Sequence, residues 1–293
     1  MIIAITNPAG DPKNNKDNMD IKGKVVIITG ASSGIGAAAA RAFGYEGAKL
    51  VLAARRIEPL QMLANEINAI GNGAEAFTLQ TDISKLEEIR TLVSQTVARY
   101  GRIDVLVNNA GFGRLKWLEE LDPLEDIQAQ IDVNVLGVIQ TTRQVLPIMI
   151  EQRNGSIINI CSIAGLVGTP TYTIYAATKH AVHGFSEALR REVNPWGIDV
   201  SLLYPGGVRD TEFPDHAGIH RKTNASTPTF MVLTADQVGN AIVSLVHRPR
   251  RMWVLPWMWR FTVFLNRFLP GLVDRTTIKN FTIPERADEL SKK

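Results

Sequence analysis

The sequence predicts an α/β protein built on a doubly wound parallel sheet, and two observations carry this prediction. From residue 24 onward, short continuous apolar segments alternate with longer stretches of helical periodicity, and a glycine-rich turn follows the first apolar segment. Strands that are covered by helices on both faces are apolar throughout, whereas half-exposed strands alternate apolar and polar residues. Such strands in regular alternation with helices are typical of a parallel sheet.

Six apolar segments read as strands of this sheet. They are Val25–Thr29, Lys49–Ala54, 76–81, Val105–Asn108, 156–160 and 200–204. An alanine-rich helix over 37–45 separates the first two, which gives a βαβ unit. No repeat and no Gly/Ser/Pro-rich linker interrupts residues 22–250, so we expect one domain there, preceded by a polar extension (1–21) and followed by an aromatic-rich extension (251–293).

Composition excludes several classes of protein. The chain has 293 residues, 45% hydrophobic and 21% charged, as in an ordinary soluble globular protein. A net charge of +3 without a long Lys/Arg tract argues against nucleic-acid binding. Cys161 is the only cysteine, which excludes an intramolecular disulfide and favours a small buried structural side chain. The polar N-terminus lacks the apolar core of a secretory signal, so we expect a cytoplasmic protein.

The turn after the first strand has the properties of a phosphate-binding loop. Glycines let the backbone approach a pyrophosphate closely, and the N-terminus of the following helix favours its negative charge. Because strand, turn and helix occur in this order, we predict that the loop binds a dinucleotide cofactor. The residues assigned to this role are Gly30, Ser32, Ser33, Gly34, Ile35 and Gly36.

The end of the second strand indicates which dinucleotide binds. NAD-binding proteins usually place a carboxylate there, for the adenosine ribose 2′-hydroxyl. This sequence has Arg55 and Arg56 instead and no acid. A guanidinium at Arg55 suits a 2′-phosphate, so we predict NADP; the alternative is that the two arginines are a solvated pair at a strand end.

Tyr175 and Lys179 are four residues apart in a helical stretch, so both side chains lie on one face. A phenol is a weak acid at neutral pH, but a nearby ammonium and an oxidised nicotinamide stabilise its phenolate. Tyr175 is therefore a candidate general acid for reduction and general base for oxidation. Ser162 ends a predicted strand, where its hydroxyl can orient a substrate oxygen. Each residue alone has an ordinary structural interpretation.

Together these motifs identify a family resemblance over residues 22–250. The segment 29–36 resembles the TGxxxGxG loop of short-chain dehydrogenases/reductases, 108–111 resembles their NNAG motif, and Tyr175 with Lys179 resembles their YxxxK pair. Ser162 precedes Tyr175 by thirteen positions, as in that family. The resemblance implies a Rossmann-fold, NAD(P)-dependent oxidoreductase that acts on a small molecule and assembles as a homodimer or homotetramer.

The resemblance also implies further roles. Asn134 would hold a water that links Lys179 to solvent. Lys179 would bond the nicotinamide ribose, and Tyr175 would also contact the cofactor. Other residues implied to contact the cofactor are Asp82, Ile83, Asn109, Pro205, Gly206 and Val208. The threonine usual after the Pro-Gly motif would fall at Asp210, whereas the available one is Thr211, so either a shift of one residue or a lost contact is implied.

An apolar substrate pocket and the lack of a metal site are further expectations. In this family a lid, here 209–230, would border the pocket together with Phe112, Leu115, Trp117, Leu166 and Val167. A hydrophobic ketone, a steroid-like compound or an acyl chain is the implied substrate. The pairs His180 with His183 and His216 with His220 have helical spacing, but no acidic or sulfur partner stands nearby, so no metal is expected.

The aromatic stretch 252–273 predicts an amphipathic helix. Prolines and arginines interrupt it, so it is a poor bilayer-spanning segment. One face carries Trp257, Phe261, Phe264, Leu265 and Phe268, and another carries Arg260 and Arg267. Two interpretations stay open: a peripheral membrane anchor, or a face that covers the substrate pocket or a subunit interface.

The sequence therefore predicts an NADP(H)-dependent oxidoreductase that transfers hydride between nicotinamide and a hydrophobic ketone or secondary alcohol. Two alternatives remain at this point. One is a 3-oxoacyl thioester reductase of lipid metabolism. The other is a cofactor-binding regulatory protein without turnover.

Overall fold

The computed structural model describes residues 19–213, 217 and 229–287, and its centre is a seven-stranded parallel sheet. The strands run in the order β3-β2-β1-β4-β5-β6-β7. Their bounds are β1 Val25–Thr29, β2 Lys49–Ala54, β3 Glu75–Gln80, β4 Val105–Asn108, β5 Gly155–Ile160, β6 Ile198–Pro205 and β7 Met252–Leu255. The predicted doubly wound α/β architecture is confirmed.

Six of these strands were predicted, and the seventh was not. The predicted bounds of β1, β2 and β4 are those observed, and β3, β5 and β6 differ by one or two residues. Strand β7 lies within the range assigned to the C-terminal extension, so the sheet continues beyond residue 250. As an edge strand, β7 buries only Val254 fully, and its flanking aromatic residues conceal the strand pattern.

Helices cover both faces of the sheet. They are α1 Gly34–Tyr45, α2 Ile57–Asn68, α3 Leu86–Tyr100, α4 Ala129–Ile131, α5 Val138–Gln152, α6 Thr173–Val193, α7 Ala235–His247, α8 Trp259–Phe268, α9 Pro270–Thr277 and α10 Ile283–Glu285. Two π-helical segments flank α4, at Pro123–Gln128 and Asp132–Gly137, and a third, Ile278–Thr282, follows α9.

The two largest clusters of the hydrophobic core lie on opposite faces of the sheet. Helices α1, α2 and α7 pack on one face, and α3, α5 and α6 pack on the other. The alanine-rich sequence of α1 has a packing reason, since a Cβ added at Gly239 of α7 would come within 2.7 Å of the Ala38 backbone. Small residues on both helices therefore let them approach closely.

The strand order creates the edge at which the motifs meet. Strand β1 pairs with β2 on one side and with β4 on the other. The chain therefore builds the sheet outward from β1 in one direction through β2 and β3 and then in the opposite direction through β4 to β7. Ligands of doubly wound sheets bind at the carboxyl ends of the strands beside such a switch point. The loop 30–36 follows β1, 109–111 follow β4, and Ser162 follows β5, so all three reach this edge.

The amphipathic helix predicted within 252–273 is shorter in the structure, because Met252–Leu255 form β7 and the helix, α8, spans Trp259–Phe268 with its aromatic stripe facing outward. Phe261, Phe264 and Phe268 are 65%, 56% and 62% exposed, and Trp257 just before the helix is 71% exposed. These side chains do not cover the substrate pocket of their own chain. Within the described residues, no helix has both the length and the apolarity needed to cross a membrane.

Candidate active site

Helix α6 and strand β5 bring the proposed catalytic side chains together. Tyr175 and Lys179 lie in the first two turns of α6, both almost fully buried. The ammonium of Lys179 lies 5.6 Å from the centroid of the Tyr175 ring and donates to the carbonyl of Ile160 at 3.0 Å. Ser162 caps the short helical turn Ile163–Gly165 and accepts from the Ala164 N–H at 3.2 Å. The predicted trio is thus assembled at the end of β5.

Burial sets the protonation of this group. Loss of solvent raises the pKa of Tyr175, and a hydrogen bond with Ser162 partly opposes that rise. Burial also lowers the pKa of Lys179. The phenol therefore keeps its proton at neutral pH in this structure, in the form that a general acid needs.

Asn134 fixes the loop that follows the NNAG motif. It is fully buried in the π-helical segment Asp132–Gly137, a type of distortion found frequently at functional sites. Its amide nitrogen donates to the Phe112 carbonyl at 2.7 Å and to Thr178 at 3.2 Å, and its oxygen accepts from the Phe112 N–H at 3.0 Å. The side-chain amide of Asn134 thus holds protein partners, and its contact with a water that links Lys179 to solvent stays a prediction.

The glycine loop is a cradle that larger residues would fill. Gly30 has a left-handed backbone (φ +66°), and a Cβ there would lie 2.7 Å from the Ala110 Cα. A Cβ at Gly36 would overlap the Gly30 carbonyl and the Asn109 amide. The Asn109 amide donates to the carbonyls of Thr29 (3.0 Å) and Gly30 (3.1 Å). Asn109, predicted to contact the cofactor, thus uses its side chain to brace the loop, and the loop fits a pyrophosphate.

Arg55 and Asp82 line one cleft at the far end of this loop. The cleft has a volume of ≈ 450 Å³ and is also lined by Gln80, Lys85 and Glu88. One oxygen of Asp82 accepts from the N–H and the hydroxyl of Ser84, at 3.0 and 2.8 Å. The two residues predicted for the adenosine end are therefore neighbours, and basic groups stand in the same cleft.

Ile83 and the remaining loop residues complete this end of the site. Ile83 is buried, and a Cβ at Gly137 would lie 2.7 Å from its Cδ1, so it packs against the segment that carries Asn134. Ser33 occupies the N-cap position of α1 with an extended backbone and no capping hydrogen bond from its side chain, and Gly34 and Ile35 are the first residues of the helix. The free N–H groups of the first turn of α1 therefore lie in the glycine loop itself, and they and the positive end of the helix dipole favour the binding of an anion there.

Arg56 contacts the glycine loop after β1, a contact that the sequence did not predict. Its guanidinium donates to the hydroxyls of Ser32 (3.3 Å) and Ser33 (3.2 Å) and to the carboxylate of Glu212 (2.7 Å). Ser33 also donates to Glu212, at 3.0 Å. The carboxylate of Glu212, from the loop after β6, therefore contacts Ser33 of the predicted phosphate-binding loop and Arg56, the neighbour of Arg55.

Asp210 and Thr211, the two residues in question after the Pro-Gly motif, lie in a turn beside the glycine loop. Asp210 adopts a left-handed backbone (φ +62°), an uncommon conformation for a residue other than glycine, and it occupies the position where the family's threonine is usual. Thr211 follows, and its Cγ2 lies 3.2 Å from the position of a Cβ added at Gly34. Thr211 therefore lies over the glycine loop, and both alternatives, a shift of one residue and a lost contact, stay open.

The Pro-Gly motif is held by the C-terminal part of the chain. Pro205 ends β6 opposite Leu255, and the Gly206 N–H donates to the Leu255 carbonyl at 2.7 Å. A Cβ at Gly206 would overlap the indole nitrogen of Trp259. Val208 forms a bridge with Leu233 just before α7. Trp259 therefore fixes the shape of this loop from outside the segment that resembles the family.

The surroundings of Tyr175 are apolar, as predicted for a substrate pocket. Leu115 and Phe213 belong to its cluster, with the Phe213 ring centroid 5.4 Å from that of Tyr175. Leu166 lies in another cluster, with Tyr204 and Trp259. The other predicted lining residues are Phe112, under the guanidinium of Arg114 at 5.4 Å, Trp117, which packs on Phe281, and Val167, which is buried. Of the predicted lid, 214–216 and 218–228 lie outside the described residues.

The histidines and the cysteine have structural partners. His183 Nδ1 lies 2.7 Å from the Tyr204 hydroxyl, and His180 Nδ1 lies 2.9 Å from the Ala176 carbonyl. His216 and His220 lie outside the described residues. In the part of the chain that the structure describes, no three His, Cys, Asp or Glu side chains are placed to hold a metal. Burial raises the pKa of the Cys161 thiol to about 11, so the thiol is unreactive at neutral pH.

With this geometry established, comparisons define the class of the protein. The family short chain dehydrogenase matches residues 24–220, and this chain belongs to that family. An uncharacterized oxidoreductase of Listeria monocytogenes is 37% identical over 79% of this chain and 93% of its own. An 11-beta-hydroxysteroid dehydrogenase A of Sesamum indicum is 34% identical over 87% of this chain and 74% of its own. The 3-oxoacyl-acyl-carrier-protein reductase of Thermotoga maritima is 40% identical over 65% of this chain and 76% of its own.

Solved structures agree with the fold and include both nicotinamide cofactors. An alcohol dehydrogenase from the archaeon Thermococcus sibiricus, complexed with 5-hydroxy-NADP, superposes with a TM-score of 0.71 at 32% identity, covering 80% of this chain and 96% of its own. A short-chain dehydrogenase/reductase from Burkholderia phymatum, in complex with NAD, has a TM-score of 0.77 at 30% identity, covering 87% and 96%. The chain is therefore an oxidoreductase of a family that uses a nicotinamide cofactor.

Proposed function

We propose that this protein is an NADP(H)-dependent oxidoreductase that interconverts a hydrophobic ketone and its secondary alcohol. The observation that carries the proposal is the buried, protonated Tyr175 with Lys179 and Ser162 beside it at the carboxyl end of β5. Ser162 orients the substrate oxygen, and Tyr175 donates its proton to that oxygen as the alcohol forms. In the oxidation direction Tyr175 accepts the proton, and the charge of Lys179 stabilises the phenolate.

The cofactor supplies or accepts the hydride when bound, and the residues present fit it. The cradle of Gly30, Gly34 and Gly36 leaves room for a pyrophosphate against the N-terminus of α1. Arg55 and Arg56 follow the end of β2, where NAD-binding proteins usually place a carboxylate for the ribose 2′-hydroxyl. The arginines and the lack of an acid in this part of the sequence support a preference for the 2′-phosphorylated cofactor. The known neighbours bind NADP or NAD, so this preference is a property to measure.

The apolar cluster of Leu115, Tyr172 and Phe213 around Tyr175 supports an apolar carbonyl substrate. The named activity of the sesame relative is in keeping with a steroid-like compound. The named activity of the Thermotoga relative favours a second candidate, a 3-oxoacyl thioester reductase. The two candidates differ in whether a carrier-bound thioester is reduced in preference to a free apolar ketone.

The deciding experiment follows NADPH oxidation with a panel of apolar ketones, steroid ketones and 3-oxoacyl thioesters. The wild type should reduce a free ketone, and Tyr175→Phe should lose roughly 100- to 10,000-fold in kcat while it still binds NADPH. Preferred turnover of thioesters would favour the second candidate. Cofactor binding without turnover of any substrate in the panel would favour a regulatory protein instead.

We also propose that the protein is a cytoplasmic homo-oligomer. Leu124, Ile131 and Leu136, on or beside α4, are exposed at 73%, 36% and 44%, which suits a contact with a second copy. Light scattering after size-exclusion chromatography measures the mass directly. A monomer at micromolar concentration would refute the assembly and leave the reaction untouched.

A further inference from the structure

Exposed apolar side chains are concentrated in the C-terminal segment 257–283. Of the sixteen large hydrophobic side chains that are exposed among the described residues, eight lie within these 27 positions. They are Trp257, Phe261, Phe264, Phe268, Leu269, Leu272, Ile278 and Ile283. Scattered single exposures are ordinary, but a concentration of this kind indicates an interaction surface.

The structure fixes which face of α8 points outward. Phe261, Phe264 and Phe268 follow the i, i+3, i+7 spacing of one helical face and are exposed. Trp259, on the opposite side of the helix, packs with Tyr204 and other residues of the core. Because its inner face is anchored in this way, α8 presents its aromatic stripe as a fixed surface.

Basic side chains border the stripe. Arg260 and Arg267 are exposed on the same helix, next to Phe264 in angular position, and Arg275 and Lys279 are exposed further along. Segment 257–279 contains these four cations and one acid, Asp274. None of the four cations forms an ion pair with a residue that the structure describes. The surface is therefore both apolar and positively charged.

We propose that this surface, the outer face of α8 formed by Phe261, Phe264 and Phe268 with Arg260 and Arg267, together with Trp257 just before the helix, binds the surface of an anionic lipid bilayer. A helix with aromatic residues on one side and arginines at the border lies in the plane of the lipid headgroups. A second copy of this chain fits less well, because a two-fold contact through this face brings its arginines against their own copies. Anionic headgroups match the charge instead.

The position of the surface connects it with the site. Trp259 packs on Gly206 at the Pro-Gly loop, and Phe281 packs on Trp117, a residue predicted to border the substrate pocket, so both ends of the segment contact residues assigned to the candidate active site. A lipid-bound chain would therefore hold the site close to the bilayer, where apolar ketones concentrate. This consequence rests on the proposed function, whereas lipid binding itself does not depend on turnover.

The test is co-sedimentation of the full chain with vesicles, without substrate. Wild-type protein should sediment with vesicles that contain phosphatidylglycerol and only weakly with pure phosphatidylcholine. The triple variant Phe261→Gln, Phe264→Gln, Phe268→Gln should lose about two orders of magnitude in affinity, because three apolar contacts are removed. The double variant Arg260→Gln, Arg267→Gln should lose about fivefold per arginine, in the range known for basic residues at anionic membranes.

The matched control is Met62→Gln, which changes a side chain that is 67% exposed on α2, away from this surface. It should sediment as the wild type does. Equal sedimentation of wild type and triple variant, or no sedimentation of the wild type, overturns the proposal. A triple variant that changes only the oligomeric mass, with no vesicle binding by the wild type, assigns the face to a second copy. Turnover is measured separately, so failure of either proposal leaves the other standing.

Discussion

At the residue scale, burial favours the neutral form of two of the candidate catalytic side chains. Tyr175 is 8% exposed and Lys179 is 5% exposed, and loss of solvent disfavours the charged form of both. The pKa of Tyr175 is therefore raised, and that of Lys179 is lowered. In the proposed reaction, the ammonium of Lys179 and an oxidised nicotinamide, when bound, would stabilise the phenolate of Tyr175.

The pH dependence of the reaction follows from this shift. Because reduction needs the protonated phenol and its pKa is raised, kcat/KM for ketone reduction should stay level from about pH 6 to about pH 8 and decline only in more alkaline solution. Alcohol oxidation needs the phenolate, so its kcat/KM should rise with pH. Initial rates in both directions measure this, with NADPH fluorescence to show constant binding. A reduction rate that climbs between those pH values would contradict the assignment of Tyr175.

Glu212 is expected to compete with the 2′-phosphate for Arg56. Replacing Glu212 by Gln removes the anion held by Arg56 and Ser33, so the affinity for NADPH should rise by about fivefold with that for NADH unchanged. Arg56→Gln should weaken NADPH binding by about tenfold and leave NADH binding unchanged. Fluorescence titration of both cofactors measures these constants.

Glu125→Gln is the control for Glu212→Gln, since it removes the same charge from an exposed position on another segment. It should not alter the binding of either cofactor. If Glu212→Gln strengthens NADH and NADPH equally, the carboxylate acts on a part of the site that the two cofactors share.

At the scale of elements, loops from distant parts of the chain brace one another. The glycine loop after β1 is held by Asn109 after β4, and the Pro-Gly loop after β6 is held by β7 and Trp259. The carboxyl ends of parallel strands meet at one edge, so each loop can use its neighbour as a support. The geometry of the loops at this edge therefore depends on contacts between the loops as well as on the catalytic side chains.

Gly206→Ala tests the support given by Trp259. The added methyl group overlaps the indole, so the protein should lose about 1–3 kcal/mol of unfolding free energy and bind cofactor more weakly. Urea denaturation and NADPH titration measure the two effects. Gly184→Ala is the control, because no atom lies within 4 Å of its added Cβ within α6, and it should be neutral or stabilise by about 1 kcal/mol. Equal stability of the two variants would contradict the close contact.

At the scale of the whole molecule, the C-terminal segment leaves the sheet at β7 and returns to contact Trp117 and Glu119. Phe281 is buried on Trp117, with their ring centroids 6.5 Å apart, and Arg286 lies over the same indole and pairs with Glu119. Helices α8 and α9 between these two attachments bury none of their residues fully. The segment is therefore held at its ends and exposed in the middle.

Phe281→Ala should release the far attachment. Removal of a buried phenylalanine costs about 3 kcal/mol, and here the loss falls on local opening of the segment, so amides of 270–287 should exchange faster while those of the sheet stay protected. Hydrogen exchange with mass spectrometry measures this. Phe264→Ala, at a position 56% exposed, should leave exchange unchanged. Uniformly faster exchange in both variants would contradict a local attachment.

Much of the fold was predictable because its signals are local. Continuous apolar strands, the glycine turn with its following helix, and the four-residue spacing of Tyr175 and Lys179 are all read within a short window of sequence. Their physical causes, burial on two faces, close backbone approach and helical periodicity, act over the same short range. These features determined the architecture, the family and the candidate catalytic trio.

The tertiary structure decided what depends on residues far apart in the chain. It placed β7 at the edge of the sheet, Glu212 on Arg56 across 156 positions, and His183 against Tyr204. It also resolved whether the aromatic face of α8 points to the pocket or outward. Sequence patterns show that a face is apolar, but which partner it meets is set by the packing of the whole chain, because burial is a property of the folded surface.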